Sequence, residues 1–151
     1  MQRKDKSTWF SIVLVKIVYG LVAVCCVFAP FMVKFYDENI IAAQNQPSVF
    51  VPLLITLYAA VPPAVIALIC LDRLLGNIKK EQPFVFANVK YLRVISYCCF
   101  AEALVFIYFS VLKPFAFVIV FVAAFIGLIL RVVKNVFEQA VAIREENDFT
   151  I

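Results

Sequence analysis

The sequence predicts an all-α fold: a polytopic membrane protein, a four-transmembrane-helix bundle with its N- and C-termini cytoplasmic. Three observations lead there. Of 151 residues, 65% are hydrophobic and only 16% charged, with a mean hydropathy of +0.99, whereas soluble domains are about half apolar and need more polar surface to keep large apolar patches out of water. The apolar residues gather in four stretches of roughly 20 residues or more, each long enough to cross a hydrocarbon core of about 30 Å. Lys and Arg collect at one set of stretch ends, the asymmetry that keeps basic segments inside.

The first stretch runs from Trp9 to about Phe35, with Arg3, Lys4 and Lys6 before it and Trp9 placed as an interfacial anchor. It is too long for a secretory signal and has no small-x-small cleavage site, and Val24 ahead of Cys25 disfavours lipoprotein-type processing, so it is expected to be retained. Polar residues 36 to 47 make a connection. The second stretch, 49 to 71, contains Pro62 and Pro63 near its middle, where missing amides predict a kink or break, either as a bent packing helix or as the unwound part of a site. Residues 72 to 90, centred on Lys79-Lys80-Glu81-Gln82-Pro83, read as a loop, with Asn88 as N-cap of the next helix. The third stretch spans 91 to 112, and Lys113-Pro114 turns tightly into the fourth, 115 to 133. Beyond it, apolar residues at helical spacing, from Val132 to Val141, alternate with Arg131, Lys134, Glu138 and Arg144, predicting an amphipathic extension to about 147. Residues 1 to 151 then form one domain.

The basic balance orients the chain. Only Lys34 and Lys113 fall at the outer ends of stretches; the other Lys and Arg, Lys16 apart, flank the inner ends. They form no basic face with interleaved polar positions, so the net charge of +4 points to membrane orientation and away from direct nucleic-acid binding.

Two ionisable residues fall inside apolar stretches, Lys16 and Glu102, and charges at that depth are costly enough to need a reason. Helical rise places them at similar depths. Three readings stay open: Lys16 snorkels to the headgroups while Glu102 stays protonated; the two form an ion pair fixing helix register; or they make a proton relay or ligand site. The five cysteines, Cys25, Cys26, Cys70, Cys98 and Cys99, include no C-x-x-C, and the chain has no His. They read as small apolar packing residues, and no metal or cofactor is expected. Without His, a nucleophile beside a base, a glycine-rich phosphate loop or paired carboxylates, no enzyme is expected.

The pattern Ile78...Gln82-Pro83-Phe84...Asn88-Val89-Lys90-Tyr91-Leu92-Arg93-Val94-Ile95, with the terminal Glu145-Glu146-Asn147-Asp148-Phe149-Thr150-Ile151, resembles a small bacterial four-helix integral membrane family catalogued as domain of unknown function 2975. The resemblance covers nearly the whole chain; Phe149 stands where leucine is usual and Gln82 where glycine or a small polar residue is frequent. It implies a fold, a bacterial cell-membrane location and, because members are often encoded beside a small helix-turn-helix regulator, a DNA-binding protein as partner. It implies no catalytic residue, cofactor or substrate.

Two functions follow as expectations. In the first, the chain is a regulatory or scaffold partner of a cytoplasmic protein, docked by Pro83, Phe84, Phe86, Asn88 and Arg93 of the loop and by Glu145, Glu146, Asp148 and Phe149 of the tail. In the second, it transports a small molecule or ion as a homo-oligomer, with Lys16, Glu102 and the Pro62-Pro63 break forming the site.

Overall fold

In the computed structural model the backbone is described for residues 2–80 and 82–149, and the side chains for 9–80 and 82–147. Helix α1 covers Gln2–Tyr36, α2 Phe50–Lys79, α3 Phe86–Ser110 and α4 Phe117–Phe149. No strand occurs among the described residues. All four helices are long and apolar enough to span a membrane. At 1.5 Å per residue the 35 residues of α1 reach about 52 Å and the 33 of α4 about 50 Å, so both extend past a bilayer core of roughly 30 Å.

Helix packing is sequential: α1 packs on α2, α2 on α3 and α3 on α4, with no substantial contact between α1 and α4 among the described residues. The helices form an open row, and large apolar side chains such as Phe28, Phe31, Phe121 and Phe125 are left outward, as lipid-facing positions require. Short links make each consecutive pair an antiparallel hairpin. The two links on one face touch, since Lys113 Nζ donates to Gln46 Oε1; the loop between α2 and α3 and both helical ends of the chain lie at the other, called here the terminal face.

The tightest seam, between α3 and α4, follows from matched spacings. Val89, Ser96 and Ala103 on α3, and Val120, Gly127 and Val141 on α4, are buried at intervals of seven or its multiple, which keeps one stripe of each helix facing its partner. Gly127 leaves room for no side chain: a Cβ there would meet Cys99 Cβ and the Phe100 ring at 3.3 Å. Ser96 Oγ, buried, donates to the Gly127 carbonyl at 2.8 Å, the small-residue and hydroxyl chemistry that substitutes for hydrophobic driving force in lipid.

Several boundaries differ from the sequence reading, each for a local reason. Residues 72 to 79, expected as loop, continue α2 to Lys79, because Leu71, Leu74, Leu75 and Ile78 carry an apolar stripe on while polar residues lower the average hydropathy. Helix α3 likewise begins at Phe86, so that among the described residues only 80 and 82–85 are non-helical between α2 and α3. The first connection is helical for longer than expected: a π turn Asp37–Ile41 and a 3-10 turn Ala42–Gln44 follow α1, and Asn45 ends them at φ 52°. That left-handed conformation suits Asn. Asp37 then accepts from Ser48 Oγ at 2.7 Å and the Val49 amide at 2.8 Å, fastening the entrance of α2. Pro62 and Pro63, expected to kink or break α2, lie inside one continuous helix, which leaves no unwound segment there.

Candidate functional site

Two places gather the residues singled out in the sequence: a groove on the terminal face and a cleft within the membrane span. The groove has a volume of about 350 Å³ and is lined by Gln82, Phe84, Val85 and Phe86 of the loop and by Val141, Arg144 and Glu145 of the α4 extension. Loop and tail therefore meet in one concavity. The Phe84 ring lies 5.7 Å from Phe137 at 38°, while Phe84 and Phe86 remain 42% and 55% exposed, far more than buried aromatics would be. Glu146 is exposed beside the groove; the side chains of Asp148 and Phe149 lie outside the described residues.

The loop behind the groove is held by Asn88, which the sequence reading placed at the N-cap and among the docking residues. It occupies neither position. Helix α3 has Val85 at its N-cap with no side-chain cap bond, and Asn88 is fully buried at 0% exposure. Its Oδ1 accepts from Asn77 Nδ2 at 2.8 Å, and its Nδ2 donates to the carbonyls of Pro83 at 2.8 Å and Gln82 at 3.2 Å. One amide thus bolts the end of α2 to the loop and to the first turn of α3. Arg93 also turns from the groove: its guanidinium reaches Glu138 Oε1 at 3.4 Å across the α3/α4 seam, and Lys134 bonds the other oxygen of Glu138 at 2.7 Å.

Within the span, Lys16 and Glu102 do not meet as an ion pair. Lys16 Nζ bonds Asp72 Oδ2 at 3.3 Å and lies 5.8 Å from the Tyr19 ring. Asp72 stands about two turns before the end of α2 at Lys79, toward the terminal face, so the lysine stem is drawn toward that face, as snorkelling requires. The sequence reading missed this partner because it placed Asp72 in a loop. Glu102 reaches from α3 to the wall of a cleft of about 600 Å³ between α1 and α2, whose other walls are apolar and include Leu21, Phe28, Met32 and Val61. Among the described residues Glu102 has no ion pair.

One further polar contact in this cleft follows from proline chemistry. Pro30, inside α1, has no amide to donate to the carbonyl four residues earlier, which belongs to Cys26. Tyr58 Oη of α2 donates to that carbonyl at 3.1 Å, satisfying a group that lipid would leave bare. A tyrosine in a membrane helix is itself a signal for a hydrogen bond to a neighbouring helix, and Pro30 is the signal for its partner, because it frees the carbonyl four residues earlier.

These observations define a multi-pass integral membrane protein of four helices, with one groove at its terminal face and one apolar cleft in the span. The chain belongs to the family described as Protein of unknown function (DUF2975), whose model matches residues 39–151. The matched stretch begins after α1, so it is shorter than the near-complete resemblance read from the sequence. No curated protein matches the chain, and no solved structure matches it.

Proposed function

We propose that the chain is a regulatory or scaffold protein of the bacterial cell membrane, holding a cytoplasmic protein, such as a helix-turn-helix regulator, at its terminal face. The groove between loop and tail carries this reading. Two exposed phenylalanines fixed by the Asn88 bolt, rimmed by Arg144 and Glu145, offer a preorganised apolar anchor with charged edges, the anatomy of a protein-binding patch. The cytoplasmic placement of that face draws on the basic excess: of 14 Lys and Arg only Lys34 and Lys113 flank the opposite face.

Affinity purification of the intact protein from native membranes tests the reading. A soluble protein should copurify with the parent chain and be lost from Phe84→Ala/Phe86→Ala. Recovery unchanged by that double substitution and by removal of 145 to 151 would remove the groove from the account. The transporter reading draws on the Glu102 cleft alone, since Lys16 is committed to Asp72; flux in proteoliposomes abolished by Glu102→Gln would favour it.

A further inference from the structure

Outside the groove and the cleft, a third place gathers charge. Arg93, Ser96 and Tyr97 of α3 and Arg131 and Lys134 of α4 surround a small opening of about 30 Å³ in the α3/α4 seam. Residues three and four apart share a helix face, so each helix presents its contributors together. The Arg131 guanidinium lies 5.8 Å from the centre of the Tyr97 ring, and among the described residues it has no carboxylate within ion-pair reach. Lys134, whose side chain is only 14% exposed, occupies the same seven-residue stripe as Gly127 and Val141. Three cations therefore face one carboxylate, Glu138, leaving a local excess of two positive charges.

The depth of the opening narrows the ligand. Arg131 is the first charged residue after the unbroken apolar run 117–130 of α4, and Arg93 precedes the apolar part of α3, so the cations stand where hydrocarbon gives way to headgroups. A space of about 30 Å³ admits a charged oxygen or two and no metabolite, so most of the ligand must lie outside it. On the apolar side, exposed Leu104, seven residues beyond Tyr97, and exposed Leu128, three before Arg131, continue the same faces. Guanidinium groups bind phosphate oxygens through a planar fork of donors, and basic pockets between membrane helices suit anionic headgroups.

We propose that this opening is a headgroup site for an anionic phospholipid, with the phosphodiester oxygens between Arg131, Lys134 and Arg93 and the acyl chains along Leu104 and Leu128. Glu138 is the competing anion: it holds Lys134 and Arg93 until the lipid phosphate shares them.

The test uses purified, delipidated full-length protein in neutral detergent, with retained lipid read by native mass spectrometry. Phosphatidylglycerol should be retained over phosphatidylcholine, and Arg131→Gln should lower its affinity roughly five-fold, with a similar further loss for Lys134→Gln, the size expected for one cation near an anionic surface. Glu138→Gln, which keeps every cation, should raise phosphatidylglycerol retention and keeps the proposal testable if Arg131→Gln does not fold. Phosphatidylglycerol binding indifferent to these changes overturns the site. Equal loss on replacing exposed Lys79 and Lys80 by Gln overturns it in favour of diffuse surface charge, and displacement of the lipid by millimolar inorganic phosphate overturns it in favour of a soluble anion.

Discussion

The α3/α4 seam and the α1/α2 cleft meet the same difficulty differently. In lipid two apolar helices gain little by hiding from their surroundings, so association rests on close packing and on polar contacts. The α3/α4 pair uses a glycine contact at Gly127, stripes at seven-residue spacing and the buried Ser96 bond. The α1/α2 pair is pinned at separate points, Lys16 to Asp72 near one end, Tyr58 to Cys26 in the middle and, at the far connection, Asp37 to Ser48, and leaves about 600 Å³ open between the pins. Closely spaced packing leaves the seam only the small opening of about 30 Å³ beside Arg131, whereas point pinning tolerates a large gap wherever no pin stands. The stretch matched to the family, 39–151, contains the whole seam but, of the cleft, only the α2 wall and Glu102 of α3.

The sharpest break of this contrast is a matched pair of glycine substitutions. Gly127→Leu forces a branched side chain against Cys99 and Phe100, and overpacking of this kind costs about 2–3 kcal/mol. Gly20→Leu in α1 meets nothing within 4 Å and should change stability by less than about 0.5 kcal/mol. Thermal unfolding of the purified variants in detergent reads both; equal effects would erase the distinction between seam and cleft.

Asn88→Ala comes next. It removes the one donor shared by the two loop carbonyls and leaves the half-buried Asn77 amide without its acceptor, a loss of about 2 kcal/mol. The seam should survive it, so protease cleavage should rise within 80 to 86 while hydrogen exchange of the α3/α4 helices stays slow. General loosening would show that the bolt supports the seam as well as the groove.

How far the sequence could be read follows the same division. Four spans were visible because apolar runs of that length have few other uses, and the tight Lys113-Pro114 turn was visible because proline and a short link leave little choice. The extension of α2 to Lys79 was hidden because Leu74 and Ile78 are interleaved with Asp72, Arg73 and Asn77, so average hydropathy falls while the helical stripe persists. Asn88 satisfied a local capping rule and was claimed instead by Asn77, eleven residues away. The Arg131 and Tyr97 pairing depends on the register of α4 against α3, which no local pattern in either helix specifies.

A smaller effect sharpens the account of α1. Lys16→Met and Asp72→Asn, singly and together, form a double-mutant cycle. Both side chains are partly exposed, 62% for Lys16 and 34% for Asp72, so the coupling should stay below about 1 kcal/mol. Coupling between Lys16 and Glu102 in a parallel cycle should be absent; finding it there would restore the pairing first read from the sequence.

The smallest effect isolates a single pin. Tyr58→Phe removes the donor to the Cys26 carbonyl, at a cost near 0.6 kcal/mol by the measured scale of interhelical bonds in membranes. Pro30→Ala returns the amide that this carbonyl lacks, so the carbonyl can bond within α1 and no longer needs α2. In the Pro30→Ala background Tyr58→Phe should therefore cost less than in the parent, and the difference is the part of the Tyr58 bond that exists because of the proline. An unchanged cost would mean that the hydroxyl serves α1/α2 packing for its own sake, and that the proline and the tyrosine are neighbours without being partners.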